Sequence, residues 1–197
     1  LMTNKVSTIE KGDIIEVKME NMEHGGEAVG HLDNGLTVFV TGGIPGERVK
    51  AEITEKKKSY ARGKLVNTIS PSPERVTGLC GVYQDCGGCQ LQHIKYSAQL
   101  EYKQKVVKDA LERIGGFKDI NINRTIGVDY PWNYRNKGQF PLTVTETDEI
   151  RTGFFKKGTH EIIVNEKCVI QHQLINRIVI KTLSVLNEYE LSVYNEK

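Results

Sequence analysis

Three of the four cysteines in this 197-residue chain fall within ten positions, in the pattern Cys80-x5-Cys86-x2-Cys89. Whatever fold the chain adopts must bring these sulfurs together on one short loop, and Gly87-Gly88 lets the backbone of that loop turn back on itself. A buried free cysteine acts as a small hydrophobe and needs no neighbours of its own kind, so the grouping points to a metal centre. Two ligand sets are open. Cys80, Cys86, Cys89 and His93 have the spacing of a zinc site of three thiolates and one imidazole. Alternatively the fourth ligand is the remaining cysteine, Cys168, which gives the all-thiolate set of an iron–sulfur cluster. The spacing does not choose between them. No apolar h-region follows the start Leu1-Met2-Thr3-Asn4-Lys5, so no secretory signal is expected. A cytoplasmic, reducing location is therefore expected, which favours metal binding over two disulfides.

Ahead of the cysteines, residues 13–66 read as five short strands. Ile15, Val17 and Met19 alternate with Glu16, Lys18 and Glu20, and Val49, Ala51 and Ile53 alternate with Arg48, Lys50 and Glu52. Asp33-Asn34-Gly35 supplies a hairpin turn. Five strands in so short a span predict an OB-like barrel, an architecture that often binds oligonucleotides. The run from Glu55 to Lys64 is the most basic part of the chain. Lys56, Lys57, Lys58, Arg62 and Lys64 can neutralise phosphates and Tyr60 can stack on a base; the same lysines also suit a solvated hairpin tip that blunts edge pairing. Ser70-Pro71-Ser72-Pro73 reads as a stiff linker.

Beyond the cysteines, Leu100, Val107, Leu111 and Ile114 lie on one face of a predicted helix that starts with Ser97 as N-cap and stops at Gly115-Gly116. This helix is expected to pack the cysteine loop against its domain. Strand-like pieces follow at 120–126, 142–147, 150–155 and 161–164, and a second amphipathic helix at about 172–190. The segment Tyr130–Leu142 mixes aromatics with Arg135 and Lys137, which suits RNA as well as a core-facing strand entry. Lys156 and Lys157 sit in a turn leading toward Cys168. The expected organisation is α+β in three consecutive parts: a barrel over 1–70, a cysteine segment with its helix over 71–116, and a mixed region of hairpins and a helix over 117–197.

Taken together, Cys80-x5-Cys86-x2-Cys89 with Gln90-Leu91-Gln92-His93, Tyr96, Gln99-Leu100 and Lys103, then Tyr134-Arg135-Asn136-Lys137 with Gln139-Phe140-Pro141, then Gly153-Phe154-Phe155 through His160 to Cys168, resembles the iron–sulfur RNA uracil-5-methyltransferase family. The barrel is similar to the TRAM domain, an RNA-binding module of many members. The resemblance covers roughly residues 8–190. It implies a 4Fe–4S cluster on Cys80, Cys86, Cys89 and Cys168, structural and helping to grip RNA, with His93 left as a packing or RNA-side residue. It also implies a ribosomal or transfer RNA partner, and S-adenosylmethionine in the full-length enzyme.

The chain departs from the family in two respects. No strand leads into a G-x-G turn that opens a helix, and four thiolate ligands leave no cysteine to act as nucleophile. The expectation is therefore an N-terminal part that binds RNA but has no catalytic residue of its own. The competing reading, from a different class, is a stand-alone RNA-binding protein with a Cys3His zinc site. No run of 18 or more apolar residues is present, so no membrane partner is expected. A net charge of +2 places no constraint by itself, and oligomeric state is not encoded in any motif.

Overall fold

In a computed structural model, residues 9–194 are described. The chain divides into two compact units: one runs to Thr77 and resumes over His93–Gly127, the other takes Gly78–Gln92 and Val128 onward. The boundaries at 70 and 116 read from the sequence are consecutive, whereas these units interleave.

The first unit is built on a closed barrel of five strands, β1 (Ile14–Met22), β2 (Ala28–His31), β3 (Thr37–Thr41), β4 (Arg48–Lys56) and β5 (Tyr60–Ser70), in the order β1-β2-β3-β5-β4. Neighbours run antiparallel except β3 and β5, whose parallel pairing from Thr37↔Tyr60 to Thr41↔Lys64 closes the barrel. The period-2 alternation has the expected result: Val17, Met19, Val38, Val40, Val49, Ala51, Ile53 and Ala61 form the interior. Fully burying an aliphatic side chain of this kind is worth about 1.5–3 kcal/mol, so the interior alone can specify the register. Gly30 faces the β1 backbone so closely that a Cβ there would collide with the Lys18 carbonyl.

The stiff linker expected at residues 70–73 is packed onto the barrel. Glu47 is fully buried in the turn before β4, where its carboxylate accepts from Ile44 N (3.1 Å), Ser72 N (3.2 Å), Arg75 Nε (2.6 Å) and Arg75 Nη2 (2.6 Å). A buried charge demands such partners, and meeting that demand pulls residues 72–75 onto the barrel.

Helix α1 (Tyr96–Arg113) belongs to this unit too, not to the cysteine loop. It begins one residue before the expected N-cap Ser97. Lys95 holds the cap position without a side-chain bond, and Gln99 Nε2 instead donates to Ile94 O at 2.9 Å. The stop at Gly116 is as expected, with φ +69. Residues 120–126 do not form the expected strand: with no sheet edge to join, they lie along α1, through Gln104 Nε2 to Ile122 O (2.7 Å) and Thr125 Oγ1 to Leu100 O (2.9 Å).

The second unit has a three-stranded antiparallel sheet of β6 (Leu142–Val144), β7 (Ile150–Phe155) and β8 (Ile162–Val164), and helix α2 (Gln173–Glu188). Gly153 is required in β7, because a Cβ would run into the Ile163 carbonyl of β8. His172 caps α2, its Nδ1 accepting from Leu174 N at 3.2 Å. Asn187 ties the far end of α2 to β7 through bonds to both Ile150 N (2.7 Å) and Ile150 O (3.0 Å). Among the described residues no helix is long and apolar enough to cross a membrane.

Candidate metal centre and nucleic-acid surface

Within the second unit, the loop 80–89 is pressed against the end of β7. Gly87 N donates to Phe155 O at 2.9 Å and Cys86 bridges to Lys156. A Cβ on Gly87 would stand 2.7 Å from Phe155 O, so this close approach explains the glycine between the two cysteines. From the other side, the chain after β8 brings in Cys168, which Asn176 fixes twice: Cys168 N donates to Asn176 Oδ1 (3.2 Å), and Asn176 Nδ2 donates to Cys168 O (3.0 Å). The result is one cavity whose lining includes Cys80, Cys86, Cys89 and Cys168.

The four thiols are free, and they share one electrostatic neighbourhood. Burial pushes the Cys86 and Cys89 thiols above their ordinary value, and the neighbouring sulfurs, Cys168 among them, push the same way. Hydrogen bonds oppose the shift: Gly88 N donates to Cys86 Sγ at 3.4 Å, and Gln92 bonds to Cys89. Asn165 Nδ2 reaches Cys80 Sγ at 3.6 Å. Four sulfurs lining one cavity, two of them with thiols that burial holds above their ordinary value, form a donor set suited to a cationic centre that would take up their charge. Among the described residues, no group of three or more His, Cys, Asp or Glu stands together as a site for a single metal ion.

His93 is not in the lining of this cavity. It is buried in the first unit, with Nε2 3.4 Å from Gly43 O. Burial lowers its pKa below the ordinary 6.5, the Gly43 carbonyl opposes that shift, and Arg75 adds to it. Between the lowered folded-state value and 6.5 the unfolded chain binds the proton more readily. His93 therefore favours the fold fully above about pH 6.5 and loses that contribution as pH falls toward the folded-state value. Urea midpoints at about pH 7.5 and pH 5.5 check this: the midpoint drops on acidification, and His93→Gln, which keeps a donor for Gly43 O, shows a smaller drop.

Arg135 is brought to the cysteines by pairing that the sequence does not announce. Asn133 N donates to Val169 O (3.0 Å), Arg135 N to Ile170 O (2.9 Å) and His172 N to Arg135 O (2.8 Å), so residues 133–135 run beside 169–172. Arg135 lines the cysteine cavity and also an adjoining open cavity of about 600 Å³ that takes in Lys137. Neither cation has a carboxylate partner among the described residues. Lys156, by contrast, pairs with Glu161 at 3.1 Å, and Lys157 follows it in the turn.

On the barrel, the basic run is partly neutralised at home. Arg62 pairs with the buried carboxylate of Glu27 and lies 5.0 Å from the Phe39 ring centroid and 5.8 Å from that of Tyr60. Tyr60 in turn meets Phe39 edge to face at 5.7 Å. Lys57 pairs with Glu55 at 2.8 Å, and Lys56 Nζ bonds to Lys57 O. Lys58 and Lys64 have no carboxylate partner among the described residues. Sequence reasoning assigned no role to Gln92, Asn165, Asn176 or Glu47. Each acts through tertiary contacts, and only Gln92, three residues after Cys89, carried a local signal.

Residues 9–66 match the TRAM domain. The TRAM match coincides with the closed barrel. Over 196 residues the chain is 40% identical to an uncharacterized RNA methyltransferase of Halalkalibacterium halodurans, covering 100% of this chain and 42% of that protein. A second protein of the same description, from Caldanaerobacter subterraneus, is 44% identical over 192 residues, with 98% and 42% covered. Among solved structures, the Pyrococcus abyssi tRNA (uracil-54, C5)-methyltransferase in complex with S-adenosyl-L-homocysteine shares the fold, with TM-score 0.57 and 24% identity over 91% of this chain and 38% of that one. The chain thus spans less than half the length of these relatives.

Proposed function

We propose that this chain is the RNA-binding, cluster-holding part of an S-adenosylmethionine-dependent RNA uracil-5-methyltransferase acting on ribosomal or transfer RNA in the cytoplasm. One observation carries the reading: four cysteines from two distant stretches line a single cavity together with Arg135. Cys80, Cys86, Cys89 and Cys168 would hold a 4Fe–4S cluster. The TRAM barrel would contact phosphates, chiefly through Lys58 and Lys64, with Lys56, Lys57, Tyr60 and Arg62 forming the shelf beside them. Arg135, Lys137, Lys156 and Lys157 would contact RNA from the second unit. When bound, the cluster would supply charge neutralisation for four sulfurs and rigidity for the Arg135 wall. The methyl-transfer step is assigned outside these residues, since the cavity takes up every cysteine and leaves none as a nucleophile. The presence of Cys168 beside the other three cysteines in one lining supports the cluster over a Cys3His zinc site.

Fluorescence anisotropy with an RNA stem-loop tests the RNA side. Affinity is expected to fall steeply between about 50 and 200 mM salt, as counterion release requires; absent or salt-indifferent binding would sink the proposal. The barrel residues separate by effect. Lys58→Gln and Lys64→Gln each reduce the salt slope by about one and leave stability within about 0.5 kcal/mol. Arg62→Gln also lowers the urea midpoint, because it removes the cation paired with the buried Glu27 carboxylate.

A further inference from the structure

Beside the cysteine cavity, the open cavity of about 600 Å³ has a lining that the metal centre does not use. Its floor carries Gln171, which is fully buried. The Gln171 amide is oriented by Nε2, which donates to Lys137 O at 3.4 Å, and its other polar atom, Oε1, is a buried acceptor without a protein partner. Leaving such an acceptor unmet costs about 1–3 kcal/mol, and the residue that carries it lines a cavity large enough for a nucleotide. The walls are Phe154, Phe155 and Pro141, and Arg135 and Lys137 stand at the same cavity. Apolar and aromatic walls, one buried acceptor and two cations without carboxylate partners are what an unstacked nucleotide demands: faces to sandwich the base, a group for a base N–H, and charge for the phosphate. Gly138 keeps the space open, since a Cβ there would stand 2.8 Å from Gln171 Nε2 and 2.6 Å from the Phe140 ring.

We infer that this cavity is a nucleobase pocket, in which one extruded base of single-stranded RNA donates an N–H to Gln171 Oε1 while Arg135 and Lys137 hold its phosphate. The inference rests on the RNA-binding reading above and adds to it a site, its recognition group and a preference for single strands. Neither the cysteine motif nor the barrel requires Gln171. The amide is set by the parallel bridge between Arg135 and Gln171, so the pocket and the cysteine cavity share Arg135 as a common wall.

The test uses the full chain and three fluorescent RNA decamers, of adenosine, cytidine and uridine. Gln171→Met is expected to weaken at least one decamer about tenfold, the loss of one hydrogen bond to a base, with the salt slope unchanged. Its urea midpoint stays close to that of the wild type, because removal of an unmet acceptor offsets loss of the Nε2 bond to Lys137 O. Arg135→Gln and Lys137→Gln weaken all three decamers alike and lower the slope by about one each. In parallel, a decamer carrying 4-thiouridine is photo-crosslinked to the wild-type protein, with crosslinks expected on residues 135–141 or on Phe154 and Phe155. Gln171→Met binding every decamer as the wild type does, or crosslinks confined to the barrel, overturns the pocket while leaving the RNA-binding reading intact. Failure of the wild type to bind any RNA overturns both.

Discussion

Cys168→Ser is expected to leave the anaerobically prepared protein with less than about one iron per chain, where about four are expected in the wild type. The variant is informative because its fold should survive. Both Asn176 bonds at this position go to the Cys168 backbone, at 3.2 and 3.0 Å, and serine keeps that backbone and nearly the same volume. What changes is the donor: a hydroxyl replaces a thiolate in a cavity where three other sulfurs remain. A site of Cys80, Cys86, Cys89 and His93 would be indifferent to the change, so retention of wild-type metal would transfer the fourth ligand to His93. The same variant is expected to weaken RNA binding, because Arg135 is held by residues 169–172, directly after Cys168.

Arg75→Met is the largest expected loss of stability. Glu47 is fully buried, and two of its four donors come from Arg75 at 2.6 Å each. Removing one partner of a buried ion pair costs about 3–5 kcal/mol, because the remaining charge keeps its desolvation penalty. Methionine roughly preserves the apolar stem, so the loss reports on the charge and not on packing. Residues 72–75 also lose their anchor to the barrel, and Ser72 N is left to hold Glu47 alone from that side. Chemical denaturation checks this: the urea midpoint of the barrel unit falls by an amount equivalent to about 3 kcal/mol or more. The double variant Glu47→Gln with Arg75→Met recovers part of it, since the uncompensated charge is gone.

The barrel was legible because its strands alternate with period 2, and Val49, Ala51 and Ile53 point inward as Arg48, Lys50 and Glu52 point out. Its closure through a parallel β3–β5 pair has no local signature, since register between distant strands is a tertiary property. The hairpin of β6 and β7 and the helix before Tyr189 were equally readable. The strand expected at 120–126 was not formed: apolar residues such as Ile120 and Ile126 alternate suitably, but a strand needs an edge to pair with, and α1 offers it a donor from the Gln104 side chain and an acceptor at Leu100 O instead of a ladder. The Pro-rich stretch Ser70–Pro73 reads as a stiff linker between domains because nothing in it reveals the buried Glu47 that Ser72 N and Arg75 satisfy.

The cysteine motif marked its location at once and its fourth member only by choice between two candidates. Spacing treats His93 and Cys168 alike. In the structure Cys168 joins the other three cysteines in the lining of one cavity, which is the observation behind the all-thiolate set proposed above. Arg135 and Lys137 stood out by composition, yet the buried Gln171 beside them did not, because a single glutamine ahead of a helix carries no pattern. Nor did the basic run reveal that Arg62 is paired with Glu27, a residue in the segment leading into β2.

The most direct measurement is the iron, acid-labile sulfide and zinc content of protein purified without oxygen, read with its visible absorbance. Four thiolates around one cavity predict a brown protein with about four iron and about four sulfide per chain. A colourless protein carrying one zinc per chain, retained in Cys168→Ser, would contradict the account.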